Sequence, residues 1–399
     1  MDTTWVKIPD VLFFQEGPGV RNTQYTEQGV KLLNVANLVD GNVDLSTSDR
    51  YISEEEAYGK YKHFLCDVGD FIVASSGIKV EYIDKKMGFI DKTMLPLCMN
   101  TSTIRFKVLD KSKLNIRYFM YYLKSHHFKD QLAIHITGSA QLNYGPSHLK
   151  KMTMPLIELD KQEEIVSTLD KLQSIITHLR IQLEKLDLLV KARFVEMFGE
   201  VATENYKYPT YKLGNVAYVG SSHRVFTSEF VEKGIPFYRG TEIGELASGC
   251  KPTEPFYISE EHYNKISSDN TKPQIGDLLM PSICNKGQVW RVDTDEPFYY
   301  KDGRVLCISA DRDKYNTVFL QFFMREKTII EYPKLGSGST FAEFKIFLLK
   351  DIDVLTPPID LQTQFADFVK QVDQSKSILQ QELDKTQTLF DSLMQEYFG

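Results

Sequence analysis

The chain contains two collinear copies of one sequence pattern, and this duplication constrains its fold more than any other feature. Gly69-Asp70 returns as Gly276-Asp277, and Glu196-Met197-Phe198-Gly199 returns as Glu396-Tyr397-Phe398-Gly399. The offset between matched segments stays between about 200 and 207 residues, whereas the units of solenoid proteins span roughly 20–50 residues. The period therefore predicts two copies of a whole module, each a domain followed by a helix.

The duplication predicts four segments. Two domains, at residues 1–156 and 205–356, are each followed by a helical segment, at residues 157–204 and 357–399. The domains are rich in β-formers and aromatic residues, with Gly, Pro, Asn and Asp between the apolar runs. The expected strands do not alternate cleanly with the expected helices. This pattern predicts an α+β fold class. Strands are expected at residues 31–35, 71–75, 278–280 and 305–308, and short helices at 115–129 and 316–327.

Composition limits the class of protein. The chain has a net charge of −7, which argues mildly against nucleic-acid binding, but the four segments carry +2, −4, −1 and −4 in chain order. The excess acid thus lies mostly on the helical segments, and the domains are close to neutral. No apolar run approaches the roughly 18 residues of a membrane-spanning helix. Five scattered cysteines without a C-x-x-C pair favour reduced thiols and argue against zinc, so we expect a cytoplasmic protein.

The two helical segments each carry an apolar seam. Spacings of three and four residues, sustained over almost four heptads, are typical of a coiled coil. The second seam is weaker, because Lys376 and Thr386 interrupt it. The seam residues are Ile165, Leu169, Leu172, Ile176, Leu179, Leu183, Leu186 and Val190 in the first copy, and Phe365, Val369, Val372, Leu379, Leu383 and Phe390 in the second.

Neither amphipathic helix can bury its seam alone. We expect the two helices to pack on each other as an intramolecular antiparallel coiled coil, with the similar mixed α/β domains at opposite ends. A helix of about 36 residues would be about 54 Å long. Two separate homodimeric coiled coils, or helices packed on their own domains, are the alternatives.

Motifs for catalysis are absent from the sequence. Residues 335–340, Leu-Gly-Ser-Gly-Ser-Thr, lack the third glycine of a dinucleotide-binding loop and the lysine of a P-loop. The eight histidines form no cluster with metal-ligand spacing. We therefore predict no catalytic centre, metal or cofactor in this chain.

The chain resembles the specificity subunits of type I restriction–modification systems. The opening of their spacer helix is similar to Pro155-x-Ile157-Glu158-Leu159-x-x-Gln162 and to Pro357-Pro358-Ile359-Asp360-Leu361-x-x-Gln364. The strand that leads to their DNA-facing loop is similar to Gly69-Asp70-Phe71-Ile72 and Gly276-Asp277-Leu278-Leu279. Each motif is short, but their order is duplicated along essentially the whole chain.

The resemblance implies a non-catalytic subunit that supplies sequence recognition. It would hold two target recognition domains on a helical spacer and bind an asymmetric, bipartite sequence in double-stranded DNA. It would assemble with two modification (methyltransferase) subunits and with restriction/translocase subunits. S-adenosylmethionine, ATP and Mg would bind to those partners, and no membrane would be involved.

Candidate DNA-binding residues follow from the chemistry of base and phosphate contacts. Arg and Lys suit guanine and phosphate, and Asn and Gln suit adenine. We expect contacts from the loops after the two Gly-Asp strands, from the turns before the helices and from an early loop of the second domain. The candidates are Lys79, Tyr82, Lys85, Lys86, Gln141, Asn143, Arg224, Lys286, Gln288, Arg291, Ser339 and Thr340.

Other interpretations remain open at this stage. The loops after the Gly-Asp strands could be solvated hairpin tips, and the turns before the helices could serve only to cap them. The whole chain could be a twin-headed coiled-coil adaptor that binds proteins and not DNA. An active methyltransferase or nuclease is disfavoured because its motifs are missing. The helically spaced aromatic residues, such as Tyr118 and Phe319, fit core packing better than base stacking.

Overall fold

The computed structural model describes residues 4–135, 142–267, 269, 271–335 and 342–399. The chain divides into two compact units. The first unit contains Met1–Arg180 together with Glu382–Gly399, and the second contains Ile181–Gln381. Each unit therefore includes one domain and parts of both long helices. Among the described residues, no helix is both long and apolar enough to cross a membrane.

The first unit begins with a mixed α/β domain. Its elements are β1 Thr4–Lys7, α1 Ile8–Val11, β2 Leu12–Glu16, β3 Val30–Leu33, β4 Leu38–Val39, β5 Asn42–Val43, β6 Tyr51–Ile52, α2 Glu54–Tyr58, β7 Phe71–Ala74, β8 Ser76–Ile78, β9 Met87–Phe89, β10 Leu97–Met99, β11 Thr103–Val108, α3 Ile116–Lys124, α4 His126–His135, β12 Leu142–Asn143, α5 Pro146–Leu149 and β13 Thr153–Leu156. The first long helix, α6, is Leu159–Phe198 and continues into the second unit.

The second unit repeats this order with few differences. Its elements are β14 Gly199–Glu200, β15 Asn205–Tyr206, β16 Thr210–Lys212, α7 Leu213–Val216, β17 Ala217–Gly220, β18 Phe230–Val231, β19 Ile235–Tyr238, α8 Gly240–Ala247, β20 Phe256–Ile258, α9 Glu260–Ile266, β21 Leu278–Pro281, β22 Trp290–Arg291, β23 Tyr299–Tyr300, β24 Val305–Ala310, α10 Thr317–Glu331, α11 Ile346–Lys350 and β25 Asp353–Leu355. The second long helix, α12, is Ile359–Phe398 and ends in the first unit.

The main sheets of the two units have the same topology, whereas their second sheets have three and four strands. A four-stranded antiparallel sheet has the order β2-β11-β7-β9 in the first unit and β17-β24-β21-β22 in the second. The second sheet of each unit contains one parallel pair, β3 with β10 and β19 with β23. The strand before each long helix pairs with the first strand of its domain, β13 with β1 and β25 with β16. The duplication in the sequence is thus a duplication of the fold, and the predicted α+β class is confirmed.

Each long helix is fixed at its start by a buried glutamine. The Gln162 side chain accepts a hydrogen bond from the backbone N–H of Asn115 (2.9 Å) and donates to the carbonyls of Lys113 and Ile157 (both 2.8 Å). Gln362 makes the same three bonds, with Asn316 (2.9 Å), Lys314 (3.0 Å) and Pro357 (2.8 Å). The sequence comparison matched Gln162 with Gln364, which is wrong by two residues. Gln364 is exposed, and Gln362 is the structural counterpart.

In the first unit, the start of α6 and the end of α12 pack together against the domain. The ring of Phe398 lies 5.1 Å from that of Tyr118, and Ile165 and Leu169 are buried in the same core. Arg180 of α6 donates a hydrogen bond to Gln387 of α12 (3.4 Å). Residue numbers rise along one helix as they fall along the other, so the helices are antiparallel here.

In the second unit, the end of α6 and the start of α12 pair in the same way. The rings of Phe194 and Phe365 lie 5.4 Å apart, and Phe194 also stacks on Phe319 of α10. Lys376, which interrupts the predicted seam, is bound by Asp187 of α6 through an ion pair of 2.6 Å. The polar interruption therefore contacts the facing helix.

All fourteen predicted seam residues are at least partly shielded from solvent. Ile165, Leu169, Ile176, Leu179, Val190, Phe365, Val372 and Phe390 are buried, and Leu172, Leu183, Leu186, Val369, Leu379 and Leu383 are half-buried. Part of the seam packs on a domain as well as on the other helix: Phe390 lies 6.3 Å from the ring of Tyr121 in α3. Pairing of the helices and packing on the domains, expected as alternatives, thus occur together within each unit.

One predicted helix is wrong in its extent. The aromatic spacing predicted a single helix at residues 115–129, but the chain forms α3 and α4 with a break at Ser125. The Ser125 hydroxyl donates to the carbonyl of Tyr122 (2.7 Å) and accepts from the backbone N–H of Phe128 (3.3 Å), which caps both helices at the break. The aromatic residues Tyr118, Tyr121, Tyr122, Phe319 and Phe323 are buried, as core packing requires.

Candidate nucleic-acid interface

The first candidate loop connects β7 to β9 in the first unit. It contains β8 and a short 3-10 helix, Val80–Lys85. Lys79, Tyr82 and Lys85 are exposed, and the Lys85 ammonium lies 5.5 Å from the centre of the Tyr82 ring. These three residues line a cleft of about 370 Å³. The loop thus presents two cations and an aromatic ring to solvent.

Lys86, at the end of this loop, has a different environment. It is half-buried, and its ammonium donates a hydrogen bond to the carbonyl of Leu38 (2.8 Å). This bond attaches the loop to β4, which begins at Leu38. Of the four candidates in the loop, Lys86 is therefore the one whose charge is directed at the protein's own backbone.

The corresponding loop of the second unit connects β21 to β22. Gly287 has a φ of +68°, and a Cβ at this position would lie 2.7 Å from the carbonyl oxygen of Arg325 in α10. Only glycine allows this close approach of the loop to the helix. Gln321 of α10 fixes the loop further by donating to the carbonyl of Val289 (3.0 Å). The loop is held on α10 by its backbone.

The side chains of this second loop differ in how far they are exposed to a ligand. Lys286 is exposed, and Arg291 is half-buried at the end of the loop. The Gln288 side chain accepts a hydrogen bond from the backbone N–H of Lys286 (3.0 Å) and so closes the turn. The geometry brings Lys286 and Arg291 to the wall of one cleft.

The early loop of the second domain contains Arg224. Its guanidinium is exposed, lies 3.6 Å from the Asp302 carboxylate and stands over the Phe226 ring at 5.8 Å. Its neighbour His223 contacts Asp269 at 2.7 Å. Hydrogen bonds from Thr271 and then from His223 lower the pKa of Asp269 to about 2. This loop is therefore held by ion pairs on the domain surface.

Most candidate residues in the turns before the long helices are not among the residues that the structure describes. Gln141, Ser339 and Thr340 lie outside the described residues. Asn143 belongs to β12, whose backbone pairs with β8 of the first candidate loop. In the first unit, the segment before the helix and the loop after β7 are thus neighbours.

The Gly-Asp motif before each loop has a structural role that the sequence did not reveal. The buried Asp70 carboxylate binds Arg105 (3.1 Å) and accepts a hydrogen bond from the backbone N–H of Asp67 (2.9 Å). Asp277 binds Arg312 (2.8 Å). Arg312 follows β24, whereas Arg105 lies within β11. Each aspartate fixes the start of the strand that leads to the candidate loop.

The sequence of this chain is similar to proteins of known family. Residues 6–185 match the family model described as the type I restriction modification DNA specificity domain. Over 391 residues the chain is 23% identical to the putative type I restriction enzyme MjaX specificity subunit of Methanocaldococcus jannaschii, which covers 92% of this chain and 85% of that protein. Residues 6–185 therefore match a type I specificity domain, and most of the chain is similar to a type I specificity subunit. The resemblance noted in the sequence is confirmed.

A further specificity subunit and two solved structures are also similar to this chain. The MjaVIII specificity subunit of the same organism is 24% identical over 209 residues, covering 51% of this chain and 47% of that protein. The crystal structure of a type I S subunit from M. genitalium matches all of this chain and 96% of its own, with a TM-score of 0.56 and 16% identity. A chain from a structural study of assembly and conformational transition in a type I R-M system gives a TM-score of 0.58, also at 16% identity. At such identities the two structures support the fold.

Proposed function

We propose that this specificity subunit recognises an asymmetric, bipartite sequence in duplex DNA, with one half-site read by each unit. The observation that carries the proposal is the repeated position of an exposed, cationic loop. The loop follows β7 in the first unit and β21 in the second, and these strands occupy the same place in the two sheets. Two loops in equivalent positions give two similar surfaces for one kind of ligand.

The difference between the loops supports unlike half-sites. The first presents Lys79, Tyr82 and Lys85, and the second presents Lys286 and Arg291. Each base pair shows a distinct set of donors and acceptors in the major groove, so different side chains select different bases. An asymmetric target is the consequence.

We further propose that the long helices bind the modification subunits. In the second unit, Ile181, Leu188 and Val195 of α6 are spaced by seven residues and are 41%, 64% and 39% exposed. A heptad-spaced apolar stripe that faces solvent favours a helical partner. In this proposal the chain works in the cytoplasm and has no catalytic role. S-adenosylmethionine binds to the modification subunits, and ATP and Mg bind to the restriction subunits.

Binding to duplex DNA at a series of salt concentrations tests the proposal. Affinity should fall linearly in a plot of log K against log[salt], with a slope of roughly −0.9 for each phosphate neutralised. Fluorescence anisotropy of labelled duplexes measures this slope, with the subunit alone or assembled with its modification subunits. A protein-binding adaptor would give no salt-sensitive association with DNA, and that result would contradict the proposal.

A further inference from the structure

Each unit has a cleft between its domain and the long helix that starts in that unit, and in the second unit this is the cleft lined by Lys286 and Arg291. The volumes are about 1090 Å³ in the first unit and about 1020 Å³ in the second. Equivalent positions line both clefts: Tyr121 and Lys124 of α3 correspond to Phe322 and Arg325 of α10. The candidate loop forms another wall, through Lys85 in one unit and Arg291 in the other. The cleft was therefore duplicated with the fold.

The cleft of the second unit has an excess of cations. Two of its lysines are neutralised, because Lys191 pairs with Glu326 (3.0 Å) and Lys376 pairs with Asp187 (2.6 Å). Among the described residues, no ion pair within 4.0 Å involves the four remaining cations, which are Lys286, Arg291, Arg325 and Lys370. Two carboxylates, Asp367 and Asp373, also line the cleft. Four cations against two acids leave it basic.

The cleft of the first unit is different at the matching positions. Asp170 of α6 occupies the place of Lys370, and it binds Arg117 of α3 at 2.7 Å. Lys124 is half-buried over the Tyr121 ring at 5.1 Å, and burial lowers its pKa. The carboxylates of Asp40, Asp84 and Asp91 line the same cleft. This cleft carries no excess of positive charge.

We propose that the cleft of the second unit holds the phosphate backbone of the DNA, with Arg325 and Lys370 as positioning residues that contact phosphates and read no base. This inference rests on the proposed function. Arg325 is exposed on α10 beside the candidate loop, and Lys370 is exposed on α12 across the cleft. A strand entering from the loop meets both cations. The half-site bound by the second unit is then held by more phosphate contacts than the other. Binding of that half-site contributes more to the salt dependence of the affinity.

The test compares Arg325→Ala plus Lys370→Ala with the unaltered protein in salt titrations on the cognate duplex. Each lost phosphate contact removes roughly 0.9 from the slope, so the slope should become shallower by about 1.8. Affinity should fall by a similar factor for cognate DNA and for duplexes altered in either half-site, because phosphate contacts carry no sequence information. Circular dichroism and thermal unfolding verify that the variant is folded.

Two controls make the result decisive. Lys233→Ala plus Lys251→Ala removes the same charge from exposed positions of the second unit outside the cleft and should leave the slope nearly unchanged. Lys124→Ala should also change it little. An unchanged slope in the Arg325/Lys370 variant, or an equal change in the Lys233/Lys251 control, overturns the inference. Absence of salt-sensitive binding in the unaltered protein would instead refute the proposed function itself.

Discussion

At the scale of single residues, Gln162 and Gln362 explain why a short motif returns before each long helix. Each glutamine is completely buried and joins the first turn of a helix to the loop before α3 or α10. Sequence comparison detected the motif but placed its second copy two residues too late, because Ile-acid-Leu occurs in both copies at a shifted position. Hydrogen bonding within the fold, which sequence similarity does not report, determines the true register.

Replacing Gln362 tests this role. Gln362→Ala removes three hydrogen bonds and leaves the backbone N–H of Asn316 without its partner. An unsatisfied buried group costs about 1–3 kcal/mol, so the free energy of unfolding should fall by about that amount. Urea denaturation measures it. Gln364→Ala is the matched control and should be close to neutral, and equal losses in the two variants would contradict the structural assignment.

At the scale of elements, the long helices were predictable from the sequence, but the packing of their ends was not. The seam spacing predicted two helices, which are 40 residues each in the structure. A heptad pattern shows that a face is apolar but does not identify what covers it. Phe398 and Phe198 therefore looked like parts of a terminal motif. In fact each is buried against the domain of the unit in which its helix ends.

This packing predicts a local effect for each aromatic residue. Phe398→Ala should destabilise the first unit by about 3–5 kcal/mol, the usual cost of a buried Phe→Ala change. Hydrogen exchange should increase in α3, at Ile116–Lys124, while α10 stays protected. Phe198→Ala is the reciprocal variant and should affect α10, at Thr317–Glu331. Equal effects of either variant on both helices would show that the units do not depend on these contacts separately.

At the scale of the whole molecule, the duplication could be read directly from the sequence, and so could the resemblance to type I specificity subunits. The distribution of charge could not. The candidate cations were chosen by their place in a loop, but Lys86 is bonded to the backbone of Leu38. Arg325 and Lys370 were missed, because they lie on helices about 45 residues apart in the chain and meet only when α10 and α12 fold together.

The spacer role that the resemblance implies for the long helices yields a prediction about the DNA target. Seven residues inserted into α6 between residues 165 and 190, with seven inserted at the matching place in α12, add about 10.5 Å to each helix. We expect the unspecified gap between half-sites to lengthen by about three base pairs, with both half-sites unchanged. Selection from a library of duplexes with varied gaps measures this, and an unchanged gap would rule out the spacer role.

The most direct test of the account is binding resolved by half-site. The Lys286→Ala plus Arg291→Ala variant is measured against duplexes altered in one half-site or the other, beside the Lys79→Ala plus Lys85→Ala variant. The account predicts that each variant loses discrimination in one half only, and that the two variants affect opposite halves. Equal losses in both halves from either variant would contradict the assignment of one half-site to each unit.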